Sequence, residues 1–373
     1  MPFMTVRTKS NQDINISARE YAREYALGRY VKHRKSLKRR RIARTILTAL
    51  AVLLVAVIAA AAVYLHALDS SLSLGENAES VRAALTPAEA GQPYYVLLLG
   101  SDSREGSGTS SKPAESGDNE RSDVIILVRV DEADHLVSML SIPRDTPWVA
   151  EDGTIMKINE IYNQSKGAGT IRAVEQLAGV KISHYAEVHF SDFENLVDAL
   201  GGIDVKVPTK LSYKDALTGE KVTIEAGEQH LDGQQAQILA RARHEYVKNQ
   251  DANRQKAVRA IANAILTEVS STPVPDMPKV VLSAANCVST DLSSLEILSL
   301  AASFHGGATM YSGTAPFEGA VNDAASGLWL CYQDEEGWSR VIATMDADGD
   351  LGKVSYSGDT VTIAGTDKTF TLK

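Results

Sequence analysis

The chain has 373 residues, 44% of them apolar and 23% charged, with a formal net charge of −9. That composition excludes a collagen-like or intrinsically disordered chain and leaves room for one large domain or two small ones. Residues 1–45 hold 13 Lys/Arg against 3 Asp/Glu, a net of +10 that leaves −19 for the rest, so most of the protein is a poor general binder of anionic polymers such as nucleic acid.

The first signal along the chain is the uncharged run from Ile46 to Leu65, ILTALAVLLVAVIAAAAVYL. At ~1.5 Å per residue it spans ~30 Å, the thickness of bilayer hydrocarbon. Eight Lys/Arg lie between Lys32 and Arg44, and Asp69, Glu76 and Glu79 follow the run. The positive-inside bias therefore puts the N-terminus in the cytoplasm and the rest outside a cell membrane crossed once. A cleaved leader fits poorly, because the lead-in and the apolar core are both too long. A buried core helix is rarely apolar all round. KSLKRRR, set against the bilayer, suits lipid headgroups better than nucleic acid. The predicted organisation is a cytoplasmic basic tail (1–45), a transmembrane helix (46–68), an extracellular stalk (69–93), a folded domain (94–345) and a strand-like C-terminal tail (346–373).

YYVLLLG (94–100) is a continuous apolar run of strand length, as in a strand covered on both faces. A Gly/Ser-rich loop follows, then DVIILVRV and HLVSMLSI, joined through DEAD as a hairpin. GTIRAVEQLAGV has helical spacing. SDFENLVDALGG is a helix with Ser191 and Glu194 in capping-box positions and Gly201–Gly202 as its stop. IDVKVP reads as a strand, and GQQAQILARARH, ANRQKAVRAIANAILTEVSS and DLSSLEILSLAASF as helices, the last opened by Asp291. From about Thr309 the chain looks strand-like and turn-rich. Strands interleaved with helices predict an α/β fold, a layered α-β-α domain with a central mixed sheet.

In such folds the site lies beyond the strand ends, where the charged residues gather. Asp102 and Arg104 follow the first strand (GSDSR), Arg121 and Asp123 precede the second (RSD), and Arg144 and Asp145 follow the third (SIPRDT). Pro143 sets the exit direction. Arg241, Arg243 and Arg254 sit at or between helix ends. Arg241 and Arg243, two positions apart, would face opposite sides of a regular helix. To act together they need the chain to leave the helix by about Ala242; otherwise one is solvated and the other bridges a neighbour. Asp102 and Asp123 can meet across adjacent strands, where a divalent cation, most naturally Mg²⁺, would relieve their repulsion. Arginine forks suit the nonbridging oxygens of a diphosphate.

The ordered set YVLLLGSDSR, RSDVIILVRV, SMLSIPRDT, KINEIY, HYAEVHFSDFENLVDALGGIDVKVP, HLDGQQAQILARARH and D-A-N-R resembles the LytR-CpsA-Psr family over residues 94–270, and more loosely to about 345. These are membrane-anchored enzymes of Gram-positive envelopes. The resemblance implies an extracellular phosphotransferase that moves a glycopolymer from a polyprenyl-diphosphate carrier onto peptidoglycan with Mg²⁺. It implies that Asp102 and Asp123 hold the metal, and that Arg121, Arg144, Arg241, Arg243 and Arg254, with Arg104, clamp the diphosphate. Asp145 would orient an arginine or accept a proton, and an apolar groove would take the lipid tail. Two departures stand out. Val258 occupies the position where the family usually carries a glutamine, so one polar contact to the phosphates is either missing or supplied elsewhere, with Gln255 a candidate, and the loop between Asp102 and Asp123 is longer than expected.

Cys287 and Cys331 are the only cysteines, both beyond the membrane run. They form either a disulfide or two buried free thiols. His184, His230 and His244 are expected to be structural, with His244 the one beside the arginines. Two rivals to a transferase are a lipid-diphosphate hydrolase using water as acceptor and a noncatalytic envelope regulator that binds the lipid carrier or a wall glycan. A DNA-binding role for residues 1–45 lacks a helix-turn-helix pattern.

Overall fold

The apolar runs that read as strands form the middle layer of the computed structural model. It describes residues 23, 25, 48, 52–101, 122–150, 152–189, 193–214, 221–242, 245–246, 250–273, 276–324, 326–351, 355–357, 360–362 and 369–371. The side chains of 101, 123, 214 and 355–371 are outside the description.

The chain divides into two compact units, Met1–Tyr64 and Leu65–Lys373. Helix α1 runs Val52–Leu72, long and apolar enough to cross a membrane. In the first unit its residues expose their side chains, as in Val52, Leu54 and Val63. In the second unit Leu68 and Leu72 are buried with Val281 and Ala285, so the last turns of α1, beyond the apolar run, belong to a protein core. The segment read as a stalk is also structured. A 3₁₀ turn (Gly75–Asn77) leads into α2 (Ala78–Ala84), whose Val81 is fully buried in the main core, and Thr86 donates its N–H to the Ile182 carbonyl at 2.9 Å.

Strands β1 (Tyr94–Ser101), β2 (Ser122–Asp131) and β3 (Leu136–Ser141) are antiparallel neighbours, the last two forming the expected hairpin. The short pair β4 (Pro147–Val149) and β5 (Ile155–Lys157) follows, and α3 (Ile158–Ala178) crosses over to β6 (Ile182–His189), parallel to β1. With β11 (Val288–Thr290) antiparallel to β6 and β12 (Thr309–Thr314) parallel to β3, the sheet order is β11-β6-β1-β2-β3-β12, a mixed sheet as predicted.

Period-two alternation sends the strands' side chains to opposite faces. Leu97, Leu99, Ile125 and Leu127 pack on one face with α2, α3 and α9 (Glu335–Asp346). Leu98, Val124, Ile126 and Val128 meet Val258, Ala262 and Leu266 of α6 (Gln250–Ser271) on the other. That second layer continues with α4 (Phe193–Leu200) and α5 (Gly233–Arg241), which share a core with α6 and with the two-stranded pairs β7 (Ile203–Val207)–β10 (Gly227–Leu231) and β8 (Leu211–Lys214)–β9 (Lys221–Ile224). α7 (Met277–Cys287) packs against α4 through Val280 and Leu196. The IDVKVP strand thus exists but lies outside the central sheet.

Several expectations change in detail. α3 begins at Ile158, eleven residues before the Gly169 that opens GTIRAVEQLAGV, and bends at Lys166, whose φ of 48° and ψ of −149° leave the helical region. Gly167 follows because the Tyr185 ring stands where a Cβ would be, 2.7 Å from its Cζ. α8 (Ser294–Ser303) opens at Ser293 in a capping box with Glu296, not at Asp291, which accepts from the Tyr185 N–H and pairs with His184 Nδ1. The end of the chain is not all strand. After the hairpin β13 (Phe317–Asn322)–β14 (Trp329–Gln333), α9 buries Trp338, Val341, Ile342 and Met345 at spacings of three, four and seven. The tail beyond residue 346 does hold strands β15 (Ser355–Ser357), β16 (Thr360–Thr362) and β17 (Thr369–Thr371) in one antiparallel sheet. Ser191, half of the capping box expected for α4, lies outside the described residues.

Candidate active site

Buried β3 ends in a turn that is tied at both sides. After Ile142, still only 2% exposed, Pro143 turns the chain, and its carbonyl accepts from the Thr146 N–H at 3.1 Å and the Thr146 Oγ1 at 2.6 Å. The first turn of α3 reaches back: Ile158 and Asn159 donate their N–H groups to the Thr146 and Arg144 carbonyls at 2.8 and 3.3 Å. Arg144 therefore rises from a backbone with no local freedom, which is how a rigid element places a functional group accurately.

Its guanidinium stands between two carboxylates. Nε is 3.9 Å from Asp145 Oδ2 and 3.9 Å from Asp251 Oδ1. Each acid has a nearer cation of its own. Lys157, at the end of β5, donates to Asp145 Oδ1 at 2.7 Å. Arg254 donates to Asp251 Oδ1 from Nη2 at 2.8 Å and from Nε at 3.2 Å, while Gln255 Nε2 donates to Oδ2 at 2.7 Å. Asp251, Arg254 and Gln255 stand at i, i+3 and i+4 in the first turns of α6, the spacing that gathers side chains on one helix face. Burial pushes the Asp251 carboxyl upward, but Arg254, Gln255 and Arg144 outweigh it and hold the group below the ordinary aspartate range. One turn further along α6, Arg259 donates from Nη1 to Ser141 Oγ at 2.8 Å, tying α6 to the strand that leads into the Arg144 turn. Three cations against two carboxylates leave this cluster at +1 within an acidic protein. Such a set can grip an anion.

The structure brings Arg144, Asp145 and Arg254 together. Arg241 ends α5, which packs on α6. Ala242, with φ −57° and ψ 125°, leaves the helix where simultaneous use of Arg241 and Arg243 requires it to. Arg243 and His244 lie outside the described residues, as do Asp102, Arg104 and Arg121. For Asp123 the backbone alone is described. Gly100 pairs with Val124 and Ser101 with Ser122, so Asp123 is the extra residue of a β-bulge at the strand ends, a feature common beside active sites. Two members were missed in the sequence, Lys157 and Asp251. Both stand in motifs quoted above, KINEIY and D-A-N-R, and a charge at a strand end or three residues before an arginine on a helix was the available signal.

Asp145 has the orienting arrangement, held by Lys157 and facing Arg144. Gln255 is committed through its Nε2 to Asp251, and Val258 packs into the apolar layer against β2 and β3. His184 and His230 pair with Asp291 and Asp204, each at 2.8 Å, as structural histidines do.

Cys287 and Cys331 are not joined; both are free thiols. Cys287 ends α7 in an apolar cluster with Leu196 and Val280. Cys331 lies on β14 and donates its N–H to the Asp145 carbonyl at 2.9 Å. Burial pushes its thiol up to about 12, and the charges of Asp145 and Asp251 add to the effect.

Among the described residues, Asp131, Asp134 and Asp348 bring carboxylate oxygens within 4.8 Å of one another. Arg129 pairs with Asp131 and Asp348 there, at the other end of β2 from the Arg144 cluster, and the group reads as a structural ion network.

The LytR_cpsA_psr family profile matches residues 58–341. The chain belongs to that family. Among curated members of similar sequence is the polyisoprenyl-teichoic acid–peptidoglycan teichoic acid transferase TagV of Bacillus subtilis (strain 168), 31% identical over 214 residues, 56% of this chain and 52% of that protein. TagU of the same organism is 32% identical over 206 residues, 54% of this chain and 60% of its own length. The chain thus spans little more than half the length of these LytR_cpsA_psr relatives. The crystal structure of B. subtilis TagV superposes with a TM-score of 0.57 at 26% identity, covering 70% of this chain and 98% of that one. A structure of TagT bound to LIIa-WTA, 21% identical with a TM-score of 0.56 over 72% of this chain and 94% of that one, shares the fold.

Proposed function

We propose that the protein is a membrane-anchored extracellular phosphotransferase that moves an anionic glycopolymer from a polyprenyl-diphosphate carrier onto peptidoglycan. The observation that carries this reading is the cluster of Arg144, Arg254 and Lys157, organised by Asp145 and Asp251 at the mouth of the sheet. The names of TagV and TagU, polyisoprenyl-teichoic acid–peptidoglycan transferases, support the same substrate pair. Helix α1 supports a single crossing, and the basic residues before it support a cytoplasmic N-terminus.

In this reading a sugar hydroxyl of the acceptor attacks the sugar-proximal phosphorus. The new O–P bond forms as the bond from that phosphorus to the bridging oxygen breaks, the lipid leaves as its monophosphate, and the hydroxyl proton passes to solvent or to a site carboxylate. Arg144 and Arg254, with Arg121, Arg241, Arg243 and Arg104, hold the diphosphate oxygens, so the work is mainly positioning and charge stabilisation. Asp145 and Asp251 keep the arginines aimed.

The carboxylates already committed to Lys157 and Arg254 are poor donors for a cation. Asp102 and Asp123, an oxygen-only pair that suits Mg²⁺, would hold it. Mg²⁺ there would neutralise phosphate charge. Asp102→Ala together with Asp123→Ala should erase any Mg²⁺ dependence of turnover; metal-dependent turnover in that variant would put the ligands elsewhere.

The test of the function is incubation of the full chain in detergent with a polyprenyl-diphosphate-linked glycan, Mg²⁺ and peptidoglycan. Polymer joined to peptidoglycan is the expected product. Release of free polymer phosphate instead would make the protein a hydrolase, and binding of the carrier without turnover would make it a regulator.

A further inference from the structure

The Asp251 carboxylate is occupied on both oxygens. Oδ1 accepts from Arg254 Nη2 at 2.8 Å and Nε at 3.2 Å, and Oδ2 accepts from Gln255 Nε2 at 2.7 Å. An ionised carboxylate can only accept, so it fixes the half-buried Gln255 amide one way round, with the NH₂ group toward Asp251 and the carbonyl oxygen turned away. That oxygen, Oε1, is buried and has no hydrogen-bond partner among the described residues. A buried acceptor left unsatisfied costs ~1–3 kcal/mol. A lysine at this position could also donate to Asp251 and would leave no orphaned acceptor. Support of Asp251 alone therefore does not account for an amide here.

The chemistry of the orphaned atom narrows its use. At neutral pH the oxygens of a diphosphate are acceptors, and a carbonyl oxygen cannot bond them. With its donor committed to Asp251, Gln255 is thus unsuited to the phosphate contact that Val258, packed in the apolar layer, leaves unmade. Oε1 needs a donor, and the donor that phosphoryl transfer brings to this place is the O–H of the nucleophile. The carboxylates nearby are engaged already, Asp145 by Lys157 and Asp251 by Arg254. In a loose transition state the nucleophile needs aiming more than early deprotonation, and a neutral glutamine serves that purpose in other phosphoryl-transfer sites.

We propose that Gln255 Oε1 accepts the attacking hydroxyl and holds it in line with the phosphorus gripped by Arg144 and Arg254. The inference rests on the transferase reading and adds the group that orients the nucleophile. As the new O–P bond forms and the bond to the bridging oxygen breaks, the lipid leaves as its monophosphate and the hydroxyl proton passes to solvent. The amide, neutral and weakly basic, holds the O–H without taking its proton.

The test exchanges the acceptor for a donor. Gln255→Lys keeps a donor for Asp251 and adds a cation for the phosphates, but it has no oxygen; Gln255→Leu has neither group. The full chain in detergent is titrated calorimetrically with inorganic diphosphate, then assayed for transfer with the lipid-linked glycan, Mg²⁺ and peptidoglycan, with folding checked by circular dichroism. Gln255→Lys should bind diphosphate at least as tightly as wild type, while its kcat falls roughly tenfold, the contribution of one hydrogen bond, at an unchanged KM for the lipid-linked donor. Gln255→Leu should show a kcat loss at least as large. Transfer by Gln255→Lys at the wild-type rate or faster would overturn the inference, because it would make the residue a phosphate contact or a support for Asp251. Weaker diphosphate binding by Gln255→Lys, in step with its loss of turnover, would overturn it too, by showing a damaged clamp. A wild type that binds diphosphate but never consumes donor would instead bring down the transferase reading, and the inference with it.

Discussion

Replacing Arg144 with alanine separates a functional role from a structural one. The nearer partners survive in the variant: Asp145 keeps Lys157 at 2.7 Å, and Asp251 keeps Arg254 at 2.8 Å and Gln255 at 2.7 Å. Among its contacts the fold loses two ion pairs at 3.9 Å from a side chain 16% exposed. Pairs this long contribute ~0–1 kcal/mol each, so these two account for up to ~2 kcal/mol. At ~2–4 °C per kcal/mol, their loss should lower the melting temperature by up to ~8 °C. The chemistry loses more. One arginine about 4 Å from a phosphate contributes ~4 kcal/mol at an effective dielectric near 20, which is ~10³ in rate at 1.36 kcal/mol per decade. The assay pairs transfer kinetics of the full chain in detergent with thermal melting by circular dichroism. Turnover within ~10-fold of wild type in a folded variant would remove Arg144 from the phosphates. A fall in melting temperature far beyond ~8 °C would show that the residue holds the fold.

The depressed Asp251 carboxyl has a definite pH signature. A group whose folded value lies below its unfolded value of ~3.9 contributes stability that is fully present above that value and is lost as pH falls through the folded one. The stability gap between wild type and Asp251→Asn should be constant above about pH 5 and shrink below about pH 4 in denaturant titrations; a gap independent of pH down to acid unfolding would contradict the ion cluster. The free cysteines make a simpler claim. Intact mass should be the same with and without reductant, and at pH 8 an alkylating agent should modify Cys331 slowly in the native protein and rapidly in denaturant, because the folded thiol stays protonated. Rapid native labelling of Cys331 would contradict its placement beside Asp145 and Asp251.

Local patterns carried much of the architecture into the sequence. The continuous apolar run at 94–100 and the hairpin through DEAD needed only composition and spacing, because a strand buried on both faces has little choice of residue. The exit of the chain from α5 near Ala242 is what Arg241 and Arg243, two positions apart, require if they are to serve one site. Trp338, Val341, Ile342 and Met345 carry a helical period as clear as any in the chain, yet the chain from about Thr309 reads as strand-like because the turn residues around them dominate the pattern.

The sequence by itself determined that opposite charges stand at the exits of buried strands, that a long apolar run precedes an acidic domain, and that an arginine follows Pro143. Tertiary structure alone decided which charges meet. Residues 144–145, 157 and 251–255 lie far apart in the chain and become one cluster because β3 and β5 end where α6 begins. It decided as well that Cys331 faces Asp145 rather than Cys287, and that Leu68, Leu72 and Val81 are core rather than anchor or stalk. The physical reason is the same in each case: period and composition report how a residue relates to its own element, whereas partnership depends on how separate elements pack, and no local pattern encodes that.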